Sequence, residues 1–454
     1  MSSTLGFYGG VGSVTGANFM LDTGKVAILV DCGLVQGSDF AGEINTEKFI
    51  YDPAKVDFLL VTHAHADHIG RIPKLVRDGF AGVIYSTEPT KQLAKLMFDD
   101  ALAVMMMEAK RDNREVIYDA KDIEAALKLW ETKPYRTPFP LADNVTATLT
   151  DAGHILGSAM VSLERDGKKI VFTGDVGNVP QPLVGAPEIP KDYDYLLMES
   201  VYGDRTHEEV AERSQLLKGY IEETIRTKGT LIIPAFSLER TQGMLLEINN
   251  LVEKGEIEPV KTFLDSPLAI RVTEVYRRCV TYLKPEIQAQ IEGGDDIFAF
   301  DGLKFTETVK ESNKIAGVPG PKIIIAGSGM SHGGRIRAHE KEYLDDKNCI
   351  VLLVGYQSVG SVGRLLQDGA KHVFIDGMKV NVKAKIAVIR GYSGHADRDQ
   401  LVDLVDGGLS KRTKQVFVTM GEERSSLFLT QRLRDYLGAP AIAPEANAEI
   451  AIDF

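Results

Sequence analysis

Four apolar residues followed by a histidine-rich loop form the most informative stretch, Phe58-Leu59-Leu60-Val61-Thr62-His63-Ala64-His65-Ala66-Asp67-His68. The apolar run predicts a buried strand, and the loop that leaves it carries four potential metal ligands. His63 and His65 are two residues apart and point the same way in extended backbone, while Asp67 and His68 can face a neighbouring ion. Imidazole and carboxylate groups suit zinc. Capping a strand end would not need three histidines and an aspartate within six residues, so the stretch predicts a metal site.

Three other predicted strands end in ligand-type residues, in Val30-Asp31-Cys32-Gly33, Asp151-Ala152-Gly153-His154 and Phe172-Thr173-Gly174-Asp175. We interpret these ends and the histidine-rich loop as one constellation. His154 and Asp175 are candidate metal ligands, whereas Asp31 is expected to orient a ligand histidine from behind. The alternative for Asp31 is an aspartate that forms a turn before glycine.

Apolar periodicity predicts strands and helices that alternate along the chain, which indicates an α/β layered fold. The predicted strands are 27–30, 58–61, 82–85, 145–148, 170–172, 230–233, 384–389 and 415–419, and the predicted helices are 91–110, 121–130, 208–228, 240–254, 399–405 and 425–437. The pattern after Glu199 resembles a parallel βαβ domain. The polar, glycine-bearing segment from Phe298 to Pro321 is interpreted as an exposed excursion.

Composition and charge narrow the class of protein. The chain has 454 residues, too many for one compact core of ordinary size, so we expect two domains. It has no apolar run of about twenty residues and no leader-like start, so we expect a cytoplasmic protein that is not bound to a membrane. Its three cysteines are far apart and predict neither a disulfide framework nor a zinc motif. The net charge of −12 opposes indiscriminate binding to nucleic acid, so an RNA-binding role needs local basic patches and metal charge.

These residues together resemble the metallo-β-lactamase superfamily, whose pattern is an early aspartate, H-x-H-x-D-H, and then a distant histidine and aspartate. The resemblance implies an αββα sandwich. It also implies one zinc ion held by His63, His65 and His154, and a second held by Asp67 and His68, with Asp175 bridging the two. In such a site the two metals share a hydroxide that acts as the nucleophile.

Later segments resemble the β-CASP nucleases, the branch that includes RNase J and the endonuclease subunit of the cleavage and polyadenylation factor. The segments are Met198-Glu199-Ser200-Val201-Tyr202-Gly203, Ile233-Pro234-Ala235-Phe236-Ser237 with Arg240, Asp265-Ser266-Pro267, Gly327-Ser328-Gly329-Met330, Gly355-Tyr356-Gln357 with Arg364, and Gly391-Tyr392-Ser393-Gly394-His395-Ala396-Asp397. The resemblance implies a parallel α/β β-CASP domain at 206–378, inserted into a metallo-β-lactamase domain made of 1–205 and a return segment, 379–454.

The resemblance also assigns catalytic roles. Glu199 fits the family's first motif and His395 its second, in which the histidine is thought to protonate the leaving oxygen, while Asp67 serves both the metal and catalysis. A carboxylate beside an imidazole fixes its tautomer and raises its pKa, which suits that role. The alternative is that His395 caps the helix that begins near Asp399.

Two glycine-rich segments, Gly327 to Gly334 and Gly355 to Gly363, follow apolar runs and are each accompanied by an arginine. Such loops can hold phosphates, although glycine after a strand is as often a simple turn. The candidate substrate-binding residues are Ser328, Arg335, Gln357 and Arg364 in or next to these segments, together with Ser237 and Arg240 from the segment that begins at Ile233.

The sequence departs from the family at its third motif. A histidine is expected in V-H-G-E, but the chain reads Val418-Thr419-Met420-Gly421-Glu422, so Met420 stands where the last ligand of the second metal belongs. A thioether is a poor zinc ligand. Three outcomes follow: a weakened second zinc completed by water or Glu422, which we favour, a single-zinc enzyme, or a protein that has lost catalysis.

The function expected from the sequence is zinc-dependent hydrolysis of RNA phosphodiester bonds, by endonuclease or 5′-to-3′ exonuclease action, in RNA processing or decay. One alternative is a noncatalytic subunit that binds RNA or a nuclease. Another is a hydrolase of small esters, against which the inserted domain argues. The apolar stripe of Leu102 and Val104 to Met107 could form a homodimer surface, but methionines at helical spacing more often belong to a core.

Overall fold

Short apolar runs separated by turns build the strands of this protein. The computed structural model describes residues 3–36, 41–112, 115–208, 210–358 and 360–454. The strands are β1 Ser3–Gly9, β2 Asn18–Asp22, β3 Ala27–Val30, β4 Phe58–Leu60, β5 Val83–Ser86, β6 Trp130–Thr132, β7 Phe139–Pro140, β8 Thr146–Asp151, β9 Ala159–Arg165, β10 Lys168–Phe172, β11 Tyr195–Met198, β12 Thr230–Pro234, β13 Lys261–Leu264, β14 Leu303–Phe305, β15 Lys322–Ala326, β16 Cys349–Leu353, β17 His372–Ile375, β18 Met378–Asn381, β19 Lys385–Val388, β20 Gln415–Val418, β21 Ala441–Ile442 and β22 Glu449–Ile452.

The helices alternate with these strands. They are α1 Ala41–Thr46, α2 Ala66–Ile69, α3 Ile72–Arg77, α4 Glu88–Asp112, α5 Ala120–Lys128, α6 Val210–Thr227, α7 Arg240–Glu253, α8 Pro267–Arg278, α9 Pro285–Glu292, α10 Val309–Ser312, α11 Ile336–Tyr343, α12 Val362–Gln367, α13 Arg398–Asp406 and α14 Glu423–Leu437. Every strand and helix predicted from periodicity is present, with its ends shifted by a few residues. Residue 209, within the predicted helix 208–228, lies outside the described residues.

The described chain divides into two compact units, one made of residues 1–179, 185–206 and 395–454 and the other of 180–184 and 207–394. The first unit contains two sheets of seven strands each among the described residues. Their orders are β22-β1-β2-β3-β4-β5-β6 and β21-β20-β11-β10-β9-β8-β7.

The two sheets of the first unit share one apolar core. Phe7 and Phe19 from one sheet lie in the same buried cluster as Val161 and Phe417 from the other. Fully burying a side chain of this kind contributes about 1.5–3 kcal/mol, so this interior is a main source of the unit's stability. Helices α13 and α14 pack on the other face of the second sheet. Helix α5 contacts both α3 and α4, and α4 contacts strand β6 of the first sheet. The predicted αββα sandwich is confirmed.

The second unit contains a six-stranded sheet in the order β14-β13-β15-β12-β16-β19 among the described residues, and the pairs in it are parallel. This confirms the predicted parallel α/β domain. The separate ribbon of β17 and β18 is antiparallel. The domain boundary predicted at 378/379 differs from the division between units, because β19 pairs with β16 and so extends the parallel sheet.

Two expectations from the sequence need correction. Most residues of the segment from Phe298 to Pro321 are exposed as expected, but the segment is not a mere excursion, since it supplies edge strand β14 and buries Phe298 and Ile315. The apolar stripe on α4 is not core, because Val104 and Met107 are 41% and 67% exposed. In both cases the sequence shows which residues are apolar. It does not show whether a neighbouring helix or strand covers them, and this contact decides whether they are buried.

Two further expectations can be compared with the structure. The chain's three cysteines, all among the described residues, form no disulfide, as predicted. Within the described ranges, no helix has the length and apolar character required to span a membrane.

Candidate metal centre

The candidate ligands in the first unit follow strand ends of both sheets. The histidine-rich loop leaves β4, His154 follows β8, and Asp175 follows β10. The backbone N–H of Ala159 donates to the carbonyl of Thr62 over 2.7 Å and so ties the two sheets together at this edge. The sandwich therefore brings together ligands that are more than a hundred residues apart in the chain.

Four of these side chains converge on one point. His65 Nδ1 lies 3.0 Å from His63 Nε2 and 3.2 Å from His154 Nε2. Asp175 Oδ2 lies 3.4 Å from His63 Nε2 and 3.5 Å from His154 Nε2. Ligands bound about 2.0–2.1 Å from a tetrahedral zinc ion are about 3.3 Å apart, so this spacing fits such an ion.

The protonation of this cluster also suits a metal. Burial lowers the pKa values of His63, His65 and His154, which keeps the imidazoles neutral and their lone pairs available. Burial alone would raise the pKa of Asp175, but the nearby imidazoles of His68 and His395 outweigh it and hold that pKa well below its usual range. Three neutral imidazoles and a carboxylate form a donor set for a divalent cation.

Asp31 lies behind His68. Its carboxylate is 2.7 Å from His68 Nδ1 and accepts hydrogen bonds from the backbone and hydroxyl of Thr62. The other ring nitrogen, Nε2, then lies 3.3 Å from Asp175 Oδ1 and makes no hydrogen bond among the described residues. This geometry supports an orienting role for Asp31 over a simple turn. Thr62 was missed by sequence reasoning, although its place directly before His63 was the available signal.

The second metal position is less complete. Ligand atoms within 4.8 Å of one another occur in two groups among the described residues, one of His63, His65, His154 and Asp175 and one of Asp175, Glu199 and His395. Asp67 and His68 belong to neither group. Burial raises the pKa of Asp67, which disfavours a carboxylate there unless a cation is close.

Met420 is buried in the apolar core between the two sheets, in the same cluster as Phe19 and Phe417. Its backbone N–H donates to the carbonyl of Gly10 over 2.6 Å. A Cβ atom built on Gly10 would lie 3.2 Å from Met420 Cγ and 3.1 Å from the ring of Phe19, so the thioether side chain is closely surrounded. The side chain at this position therefore serves packing.

Glu199 and His395 form a pair beside Asp175. Glu199 is fully buried, and its carboxylate accepts from the backbone N–H groups of Val176 and Val201. His395 Nδ1 lies 3.2 Å from Glu199 Oε1 and 3.8 Å from Asp175 Oδ2. Burial alone would lower the pKa of His395, but these two carboxylates raise it to about 9.

A different residue caps the helix that follows His395. The side chain of Asp397 accepts from the backbone N–H groups of Asp399 and Gln400 at the start of α13. The helix-capping alternative for His395 is therefore not what the structure shows. Its place is fixed instead by a β-bridge to Gly177 and by the adjacent bond from Ala396 N–H to the Val176 carbonyl.

Two glycines permit the close approach of these loops. A Cβ on Gly33 would lie 1.5 Å from the Asp67 carbonyl oxygen, and one on Gly177 would lie 1.7 Å from the Gly153 carbonyl oxygen. Both contacts are with backbone, which cannot move aside cheaply. Glycine is therefore required behind the histidine-rich loop and beside the loop that carries His154.

The candidate substrate-binding residues all lie in the second unit, and only some of them come together. Ser237 Oγ lies 3.4 Å from Ser266 Oγ, and the Gly327 backbone is adjacent to both. Gln357 is buried and donates to the carbonyls of Gly329 and Gly355, so it ties the two glycine-rich loops together.

The remaining candidates in the second unit have other partners. Ser328 Oγ accepts from the N–H groups of residues 332 and 333 within its own loop. Arg364 pairs with Asp368, one turn further along α12, and Arg240 is buried at the start of α7. Arg335 donates to Asp265 and to the carbonyls of residues 306 and 307.

Asp265 is the centre of a buried network that sequence reasoning missed. Besides Arg335, its carboxylate accepts from Thr306 Oγ1, from Ser312 Oγ and from His339 Nε2 over 2.7 Å. Burial alone would raise its pKa, but these hydrogen bonds lower it to about 2. In the sequence, Asp265 stood out only within Asp265-Ser266-Pro267, a segment that resembles the β-CASP nucleases but does not identify the partners of the carboxylate.

Known proteins and family models match this chain along most of its length. The models are a metallo-β-lactamase superfamily domain at 20–179, a β-CASP domain at 241–366 and a Zn-dependent metallo-hydrolase RNA specificity domain at 379–444. Ribonuclease TTHA0252 of Thermus thermophilus is 35% identical over 94% of this chain and 95% of its own length. An RNase J-like protein of Methanocaldococcus jannaschii is 32% identical over 97% of each chain.

A third relative and one solved structure also match this chain. Transcription termination factor FttA of Methanosarcina mazei is 30% identical over 93% of this chain and 67% of its own length. A crystal structure of a protein of unknown function from Enterococcus faecalis V583 matches with a TM-score of 0.54 and covers 100% of both chains. Its sequence identity is 12%, so that likeness concerns the fold alone.

Proposed function

The chain belongs to the β-CASP nuclease branch of the metallo-β-lactamase superfamily, and from this we propose that it is a zinc-dependent ribonuclease that hydrolyses RNA phosphodiester bonds in RNA processing or decay. The observation that carries the proposal is the convergence of His63, His65, His154 and Asp175 directly beside the Glu199–His395 pair. A metal-ligand cluster and a proton donor that share one carboxylate are suited to hydrolysis.

The metal, when bound, supplies a Lewis acid and lowers the pKa of a water molecule. The residues that would hold it are His63, His65 and His154 with Asp175, while Asp67 and His68 would contribute to a second ion. Neutral imidazoles and a low-pKa carboxylate need no deprotonation at neutral pH before a cation binds. The first site is therefore arranged for metal before the metal arrives.

His395 is proposed to donate a proton to the departing oxygen of the RNA. Its Nδ1 faces Glu199, so a protonated ring holds one proton at that contact and a second at Nε2. With a pKa of about 9, the ring is protonated at neutral pH. A cation bound at Asp175 would offset part of that carboxylate's effect, which brings the pKa of His395 closer to neutral and improves it as a donor.

Glu199 is proposed to position His395. Both of its oxygens already accept backbone hydrogen bonds, from Val176 and Val201, so the carboxylate cannot rotate away. The carboxylate thereby fixes which nitrogen of His395 faces the substrate.

Met420 makes a noncatalytic RNA-binding protein the second candidate function. The residue removes one family ligand, and its side chain fills the core. Against this candidate stands the geometry of Asp175, Glu199 and His395, which a binding protein does not need. The proposal is therefore a ribonuclease with a weak second metal site.

The deciding experiment is cleavage of end-labelled single-stranded RNA by the purified chain with zinc or manganese. We expect wild type to cleave and His395→Ala to lose about 10²- to 10⁴-fold in rate, as general-acid loss typically does, while keeping its bound zinc. His332→Ala is the matched control, because this histidine is exposed in the second unit and has no proposed role. Cleavage by Met420→His alone would identify the natural chain as a noncatalytic relative, and RNA binding without cleavage by either would support the binding function.

A further inference from the structure

The ribbon of β17 and β18 in the second unit has one buried face and one exposed face. Val373, Ile375 and Val380 join an apolar core cluster. The register places Phe374 opposite Lys379 and His372 opposite Asn381, so these four side chains share the other face. All four are exposed. We call them the ribbon surface.

Phe374 is an apolar residue on the solvent-facing side of the ribbon, where polar residues are usual. A strand with one buried face normally presents polar residues to solvent, yet Phe374 is 60% exposed. Its ring meets that of His372 edge-on, with centroids 6.0 Å apart. Two rings side by side on an exposed two-stranded ribbon offer flat surfaces on which unstacked bases can lie.

The charge around the ribbon surface is positive, in contrast with the rest of the chain. Residues 371–385 contain four lysines and one acidic residue, Asp376, while the whole chain carries −12. Two of these lysines, Lys383 and Lys385, are paired with Asp345 and Glu223. Asp376 is already paired with Arg337 and Lys341. Among the described residues, Lys371 and Lys379 have no ion pair, so their charges are available to a phosphate backbone.

We propose that the ribbon surface binds single-stranded RNA, with Phe374 stacking on a base and Lys379 contacting a phosphate. The inference rests on the proposed function, because it takes RNA as the substrate. Stacking accepts any base, so binding here contributes affinity without sequence preference.

The first test measures binding of fluorescein-labelled 2′-O-methyl oligouridine to the full-length zinc-loaded protein by fluorescence anisotropy, and a gel run afterwards checks that the oligonucleotide is intact. We expect Phe374→Ala to weaken binding about tenfold and Phe374→Trp to restore it, because an indole also stacks. Phe428→Ala is the matched control, since Phe428 is an exposed aromatic residue on helix α14 of the first unit. It should leave affinity unchanged.

Two further readouts separate stacking from charge. The only natural tryptophan, Trp130, is buried, so the indole introduced by Phe374→Trp should report RNA by a loss of fluorescence. In Lys379→Gln, the slope of log affinity against log salt should fall by about 0.7, the value for one phosphate contact on a single strand.

The outcomes distinguish this inference from the function on which it rests. Suppose that wild type binds RNA, that Phe374→Ala keeps this affinity, and that Phe374→Trp shows no quenching. The ribbon surface is then not an RNA site, and its exposed phenylalanine is better explained by contact with a protein partner. Wild type that binds no RNA at all would overturn both the ribbon surface and RNA as substrate.

Discussion

Five histidines in the first unit acquire different chemistry from their neighbours. His63, His65 and His154 are kept neutral by burial, whereas His68 and His395 have raised pKa values because carboxylates lie beside them. For His68, burial alone would lower the pKa, but Asp175 and Asp31 outweigh it. Histidine is thus neutral and able to bind a metal at three of these positions, and it holds an extra proton at the other two.

This difference predicts that the ligands of the first and the second zinc ion release different numbers of protons when the ions bind. The first should bind to neutral imidazoles, so its ligands release no proton and any protons released between pH 7 and 8 come from bound water and from His395. The second should displace a proton from His68, so its affinity should rise with pH and about one proton should be released for each ion. Calorimetric titration with zinc in two buffers of different ionisation enthalpy measures this directly.

Asp31→Asn provides the matched variant for that titration. It keeps the shape of Asp31 but removes the charge that holds the proton on His68 and fixes its ring. We expect proton release at the second site to fall and the first site to be unaffected. Unchanged proton release at the second site in Asp31→Asn would contradict the assignment.

Met420→His tests the missing ligand with a readout that does not depend on activity. Zinc content after dialysis against a weak chelator should rise from about one to about two ions per chain, because an imidazole at this position offers zinc a ligand that the packed thioether does not. Without zinc, the variant should melt at a lower temperature, since a polar ring left unsatisfied in the core costs about 1–3 kcal/mol.

Met420→Leu is the control for the core. Leucine has nearly the same volume and offers no ligand, so zinc content should stay at the wild-type value and the stability change should be below about 1.5 kcal/mol. Two tightly held zinc ions in wild type would contradict the view that Met420 weakens the second site.

At the scale of elements, the Asp265 network joins parts of the second unit that sequence patterns treat separately. The carboxylate follows strand β13, Thr306 follows β14, and His339 lies on helix α11. This explains why the segment from Phe298 to Pro321 is packed into the unit: its polar side chains satisfy a buried charge.

We predict that Asp265→Asn destabilises the second unit by about 3 kcal/mol, because it breaks a buried charge pair with Arg335. The sign of its pH dependence follows from the lowered pKa. The stabilisation is present above the unfolded value near 3.8 and is lost as pH falls toward about 2. The difference in melting temperature between wild type and variant should therefore shrink across that range.

Asp376→Asn is the control for this prediction. Asp376 also pairs with basic side chains, Arg337 and Lys341, but its side chain is 48% exposed. A solvent-exposed pair contributes less than about 1 kcal/mol, so the melting temperature should change little. A comparable loss in both variants would show that burial of Asp265 is not what makes its network important.

At the scale of the whole molecule, metal binding is expected to affect the two units differently. All candidate metal ligands, from His63 to His395, belong to the first unit, while the parallel sheet belongs to the second. Chelation should therefore increase amide hydrogen exchange in the loops at 62–68, 153–157 and 174–178. The amides of β12, β15 and β16 should keep their protection. Equal loss in both units would contradict a metal site confined to the first.

The sequence by itself determined the family, the αββα sandwich and the identity of the candidate ligands. Metal ligands must be histidine or carboxylate, and strand ends must follow apolar runs, so both leave local patterns such as Phe58 to His68. In the second unit, strands β12 and β19 were predictable for the same reason, because they read as apolar runs, whereas β13 to β16 were not among the predicted strands.

Only the tertiary structure decided which side chains meet. Thr62 and Asp31 lie 31 residues apart, and Asp265 and His339 lie 74 apart, and no local pattern joins either pair. It also decided that Asp397, and not His395, caps α13, that Met420 fills the core, and that Phe374 faces solvent. Burial and hydrogen bonding depend on elements brought together by folding, and these contacts set the charge on each histidine and the exposure of each apolar side chain.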